Sequence, residues 1–126
     1  MKALRIIVYL VLAELAYAQQ VAPFTADSYM VNPANYLEKE VTLAVAYVMP
    51  VEQARTDGMQ GLVANTYNLN QFGGHILLIA PPAIAQRLAQ QCGTQHVWNH
   101  SHTTLIRGIF KKDEAKAGRY CVFVPK

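Results

Sequence analysis

Three imidazoles, His96, His100 and His102, fall within the short stretch "HVWNHSH". Alternate residues of an extended chain point the same way, so His100 and His102 share a face, and His96 joins them where the intervening chain turns back. Imidazoles so placed suit zinc or copper. The stretch holds no Asp or Glu and both cysteines lie elsewhere, so a loop without metal is the expectation and a three-histidine site the alternative. His75, which follows two glycines, is expected at a strand edge, and no cofactor is expected.

A second group is cationic and aromatic. "EQARTDG" carries Glu52, Arg55 and Asp57, and the stretch from Arg107 onward carries Lys111, Lys112, Lys116 and Arg119 against Asp113 and Glu114. Arg55, Lys111, Lys112 and Arg119, with Tyr67 and Phe72, form the candidate surface for a ligand or partner. Aromatic rings of this kind stack on bases for roughly 1–3 kcal/mol each. Only two rings are available, however, and Asp113-Glu114 in a Lys-rich loop reads as a solvated pair. Catalysis has less to stand on: the chain contains no GxSxG, HExxH or GxxxxGK(S/T) pattern and leaves no nucleophile or base to nominate. A non-enzymatic protein is expected.

The elements that must position these residues follow from length and patterning. The 126 residues, 52% hydrophobic, suffice for one core. The first eighteen begin with Lys2 and Arg5, continue with an apolar run from Ile6 to Ala13, and end in Ala16-Tyr17-Ala18, the small-x-small pattern of a secretory cleavage site. A signal peptide over residues 1–18 is therefore expected, and a periplasmic or secreted protein. Its removal takes Lys2, Arg5 and Glu14 from the formal charge of +3, leaving nine basic and seven acidic residues, or +2. Cys92 and Cys121 remain, and in an oxidising compartment a disulfide bond between them is the economical expectation. The closed loop of about 30 residues would be worth roughly 3.5 kcal/mol in the chain-entropy model.

Residues 19–38 read as an N-terminal extension with a short helical turn after Asn32-Pro33, and residues 39–126 as the folded body. "EVTLAVAYVMPV" makes a first strand with Val41, Leu43, Val45, Tyr47 and Met49 on one face. "LVANTYNL" makes a second strand, "NQFGG" a hairpin connection, and "HILLIA" a third. Pro81-Pro82 then ends the ladder and opens a helix, in which Ile84 and Leu88 share a face and Gly93 supplies the stop. "TTLIRGIF" and "RYCVFV" are strands four and five.

Five strands with one helix between the third and fourth is the element order of the OB-fold. The segment "NPANYLEKEVTLAVAYV" resembles the entry to small exported bacterial OB-fold proteins, where an Asn-Pro turn and a short Tyr-containing helix lead into a long first strand. The resemblance implies a mainly β, five-stranded Greek-key barrel, with binding on the strand-two and strand-three face and on the loops joining strands one to two and four to five. Strand one carries Ala44 and Ala46 where such proteins often bend at glycine, so an open-sheet α+β sandwich is the competing fold. The expected function is an exported binding module, a protein-interaction or accessory subunit of an envelope or secretion assembly whose partner is another envelope protein. Single-stranded nucleic-acid binding after export, in DNA uptake or transfer, is the alternative; metal binding by His96, His100 and His102 is third.

Overall fold

The computed structural model describes residues 21–94, 102–114 and 118–125. The expected signal segment 1–18, His96, His100 and Lys116 lie outside them. In chain order the elements are helix α1 (Ala26–Met30), a 3-10 turn (Pro33–Asn35), β1 (Glu40–Pro50), β2 (Gln60–Asn68), β3 (Gln71–Ala80), α2 (Pro82–Cys92), β4 (Thr104–Lys112) and β5 (Tyr120–Phe123).

The strands close into a barrel in the order β1-β2-β3-β5-β4, with β4 returning to β1. All pairs are antiparallel except β3 with β5, which run parallel over Leu77–Ile79 and Cys121–Phe123. The fold is mainly β, a five-stranded closed barrel compatible with an OB-fold-like Greek key, with one helix between β3 and β4.

Closure is achieved without glycine in β1. Residues Glu40–Val45 pair with β4, and from Val45 onward the strand pairs with β2. Between Val45 and Tyr47 the register shifts by one, so Ala46 is an extra residue. Such a bulge bends the strand and increases its twist. It also changes which residues face inward. Val41, Leu43 and Val45 are buried as expected, but the next core residue is Val48, while Tyr47 is only half-buried and Met49 is exposed. The expected single face from Val41 to Met49 is therefore wrong beyond Val45.

A second shift lies in β3, where Gly73 and Gly74 occupy the bulge opposite the Asn65–Tyr67 step. Gly74 has φ +79°, and a Cβ on Gly73 would collide with the Thr25 side chain. These glycines belong to the strand, not to a hairpin connection. The connection is the two-residue turn Leu69-Asn70, both with positive φ (50° and 59°), as in a type I′ turn.

The extension from residue 21 packs into the barrel. Thr25 caps α1, and its buried hydroxyl donates to the Ala22 carbonyl at 2.7 Å. The Thr66 hydroxyl accepts from the Ala26 amide at 2.9 Å and lies 3.0 and 2.8 Å from the Gly73 and Gly74 carbonyls, locking α1 over one end. The Tyr29 hydroxyl donates to the Thr42 carbonyl at 2.6 Å, and its ring meets Tyr36 edge-on at 4.9 Å. Phe110, fully buried, stacks on Tyr120 at 5.4 Å. From the helix side α2 contributes Ala85 and Leu88 to the core, with Ile84 half-buried against it. Gly93, at φ +78°, ends α2 and its carbonyl accepts from the Val48 amide at 2.9 Å.

The expected disulfide is absent. Both cysteines are free thiols. Cys92 packs from α2 against the interior cluster, whereas Cys121 lies on the outward side of β5 with Leu77 and Ile79, so the barrel wall separates them. Burial raises the pKa of both, that of Cys121 to about 11, with the Asp113 charge adding to the effect.

Candidate functional site

Outward alternation on the parallel pair β3 and β5 sets Leu77, Ile79 and Cys121 on the outer wall of the barrel, yet all three are buried. Their cover includes the β1–β2 loop, residues Val51–Met59. Val51 and Met59 pack on this strip beside Phe123. The loop is shaped locally by Asp57, whose carboxylate accepts from the Met59 amide at 3.0 Å ahead of Gly58 at φ +76°. At the loop's near end, Gln60 Nε2 donates to the Val51 and Gly61 carbonyls.

At the loop's middle stands Arg55. Its guanidinium donates to both oxygens of Asp113, Nη1 to Oδ2 at 3.2 Å and Nη2 to Oδ1 at 3.0 Å, and also to Asp57 at 2.9 to 3.2 Å. Asp113, immediately after β4, has a side chain only 1% exposed. Its second cationic partner is Arg119, through Nη2, and its amide donates to the Arg119 carbonyl at 2.7 Å, closing the β4–β5 loop. The hydrogen bonds to Asp113 and then Asp57 hold the Arg55 pKa well above its ordinary value, and Arg55 in turn draws that of Asp57 down. The Arg119 Nε is buried without a hydrogen-bond partner.

This geometry divides the expected binding surface. Arg55, Lys111 and Lys112 line a depression of about 410 Å³ together with Ile79, Cys121 and Phe123, while Arg119 lines the neighbouring recess of about 250 Å³, which Arg55 shares. Two of the four cations are committed to carboxylates. The charges of Arg55 and Arg119 cancel against Asp57 and Asp113, leaving, among the described residues, Lys111 and the exposed Lys112 as the depression's cations without a carboxylate partner, with Glu114 nearby. Lys111 Nζ sits 5.2 Å from the Phe123 ring centroid. Asp113 is the residue that sequence reasoning missed: it was expected in solvent and is instead the buried hub of the cluster.

Tyr67 and Phe72 are elsewhere. They pair with each other across β2 and β3 next to the Leu69-Asn70 turn, five residues along β3 from Leu77 and so about 16 Å away. Phe72 is 62% exposed, and beside it the surface is apolar: Leu69 is 70% exposed, and Val21 and Phe24 are also open to solvent. Asn68 Nδ2 donates to the Pro23 carbonyl at 2.7 Å, holding the hairpin against the segment that carries Phe24. Val21 and Phe72 line a recess of about 390 Å³ with Thr25, Asp27 and Gln71.

His102 is exposed just before β4, and His75 is exposed in β3 opposite Asn65. Among the described residues no group of three or more His, Cys, Asp or Glu is placed to hold a metal ion, and no helix is long and apolar enough to cross a membrane. Comparison with family models, curated proteins and solved structures finds no match to this chain.

Proposed function

We propose that the protein is an exported, non-enzymatic binding module that docks another envelope protein through the hairpin end of its barrel. The reading is carried by the backbone beneath the exposed apolar residues. Phe24 (φ +62°) and Leu69 (φ +50°) both hold the left-handed conformation that residues with a Cβ avoid at a cost of about 1 kcal/mol or more. Neither side chain is buried in return. Strain retained under exposed apolar side chains is understandable where those side chains meet a partner, and together with Val21 and Phe72 they supply apolar anchors of the kind that dominate protein interfaces. The charged N-terminal residues, apolar run and small-x-small pattern in residues 1–18 support export.

The second reading, single-stranded nucleic acid on the loop rim, rests on Lys111 and Lys112. With Arg55 and Arg119 already paired, few cations remain to displace counterions. One experiment separates the two: affinity capture from the native envelope fraction with wild type and a Leu69→Asp/Phe72→Asp variant, alongside single-stranded DNA titration. A defined protein captured by wild type and lost in the variant is the expected result. Capture unchanged by the variant, or sub-micromolar DNA binding at physiological salt that disappears in Lys111→Ala/Lys112→Ala, overturns the proposal.

A further inference from the structure

We propose that the β1–β2 loop, Val51–Met59, is a hinged strap latched over the outer wall of β3 and β5 by Arg55 on Asp113, and that releasing the latch uncovers the apolar strip Leu77, Ile79 and Cys121.

Three observations carry this. The strip faces outward, so something other than the barrel interior must cover it, and the strap supplies Val51 and Met59 to do so. The strap's middle is poorly filled beneath: recesses of about 250 and 410 Å³ lie on its two flanks, and Arg55 and Thr56 line both. Its packing at that point is therefore that of an arch. The third concerns attachment. The hydrogen bonds of Val51, Asp57 and Gln60 are made within the loop or to the adjoining start of β2. Arg55 to Asp113 reaches across to the far loop, 58 residues away in sequence.

The latch is built to be discrete. Asp113 is held on its other side by Arg119 and by its own amide, so it stays in place when the strap leaves. Arg55 keeps Asp57 as a travelling partner on the strap, which spares it a bare charge in the open form. Opening therefore exchanges one part-buried, bidentate ion pair and the Met59 contacts for solvent, with the strap hinged at Val51, whose amide stays on the Gly61 carbonyl of β2. Local openings of this kind govern the chemical accessibility of the groups beneath them.

Cys121, 2% exposed under the strap, is the reporter, and Cys92 on the interior side of the wall is the reference. Maleimide labelling near neutral pH is followed in full-length Cys92→Ser chains, with Cys92 followed in Cys121→Ala chains. Arg55→Met should speed Cys121 labelling about tenfold or more while leaving Cys92 labelling unchanged. Arg119→Met, which removes the partner on the fixed side, should change the Cys121 rate much less than Arg55→Met. If Arg55→Met fails to fold, Arg55→Lys, which keeps the charge but loses the fork, should give a smaller acceleration with the same selectivity. Equal acceleration of both thiols would mean general loosening and would overturn the latch. So would a Cys121 rate indifferent to Arg55, or one raised as much by Arg119→Met as by Arg55→Met.

Discussion

The hairpin end and the strap region handle apolar surface in opposite ways. At the hairpin end Leu69, Phe24 and Phe72 stand in solvent, the first two on backbone strained at positive φ. On the outer wall of β3 and β5, Leu77, Ile79 and Cys121 are equally outward by strand parity, yet they are covered and the cover is fastened by charge. The contrast changes the meaning of the loop cations. Arg55 and Arg119 would count toward a polyanion site if read by position alone; their contacts make them fasteners for the loops. Two of the arginines thus serve to close one face, while exposed hydrophobic side chains leave another open.

The largest effect expected from this contrast is at Asp113. Asp113→Ala leaves two guanidiniums around a vacated carboxylate position; because Arg119 is 40% exposed and Arg55 keeps Asp57, the loss should fall at the low end of the cost of breaking a buried ion pair from one side, about 3 kcal/mol. Urea denaturation of the variant should show a loss of that order; a loss below about 1 kcal/mol would mean that the cluster is solvated and the two regions differ less than their contacts indicate.

A smaller effect is expected from alkali. The Cys121 thiol is pushed up to about 11 in the folded chain against an ordinary 9.0, so the unfolded chain releases its proton first as pH rises. The stabilisation is therefore complete below pH about 9 and is lost between about 9 and 11, amounting at most to about 2.7 kcal/mol. Stability curves of wild type and Cys121→Ala should converge over that interval, by this amount. Parallel curves would show that the strip beneath the strap is wet.

The smallest effect has the opposite sign. Leu69→Asn places in the left-handed turn position a residue that tolerates it, and the thermal midpoint should rise, corresponding to about 0.5–1 kcal/mol. The same variant should weaken partner capture. A gain in stability with a loss of binding is the signature of a side chain kept for contact, and a loss of stability would return Leu69 to an ordinary structural role.

Much of the barrel was legible because its signals are local. Pro81-Pro82 and Gly93 bracket α2, and alternating apolar residues mark the strands, so element order and the single helix follow from short-range pattern. What pattern could not reach was pairing over distance. Asp113 beside Lys111 and Lys112 has the surroundings of a solvated turn; its burial depends on Arg55, 58 residues earlier, and no spacing rule joins the two. The disulfide expectation failed for a related reason, since cysteine count says nothing about which side of a barrel wall each thiol occupies. The glycines of "NQFGG" misled by their type: both serve a bulge under Thr25, while the turn falls on Leu69-Asn70, a pair without a strong turn signature. Helix α1 was missed although Thr25 and Ser28 carry a capping signal, because five residues are too few for a helical period to show.

Ala46 has a consequence for how such a chain changes over generations. Val45 and Val48 both point into the core although three positions separate them, so β1 is two strands of opposite parity joined by one supernumerary residue. Deleting Ala46 would leave every core side chain facing the interior while removing the corner that lets the first half meet β4 and the second half meet β2. Substitutions at this position alter only the side chain at the corner, since the corner is made of length.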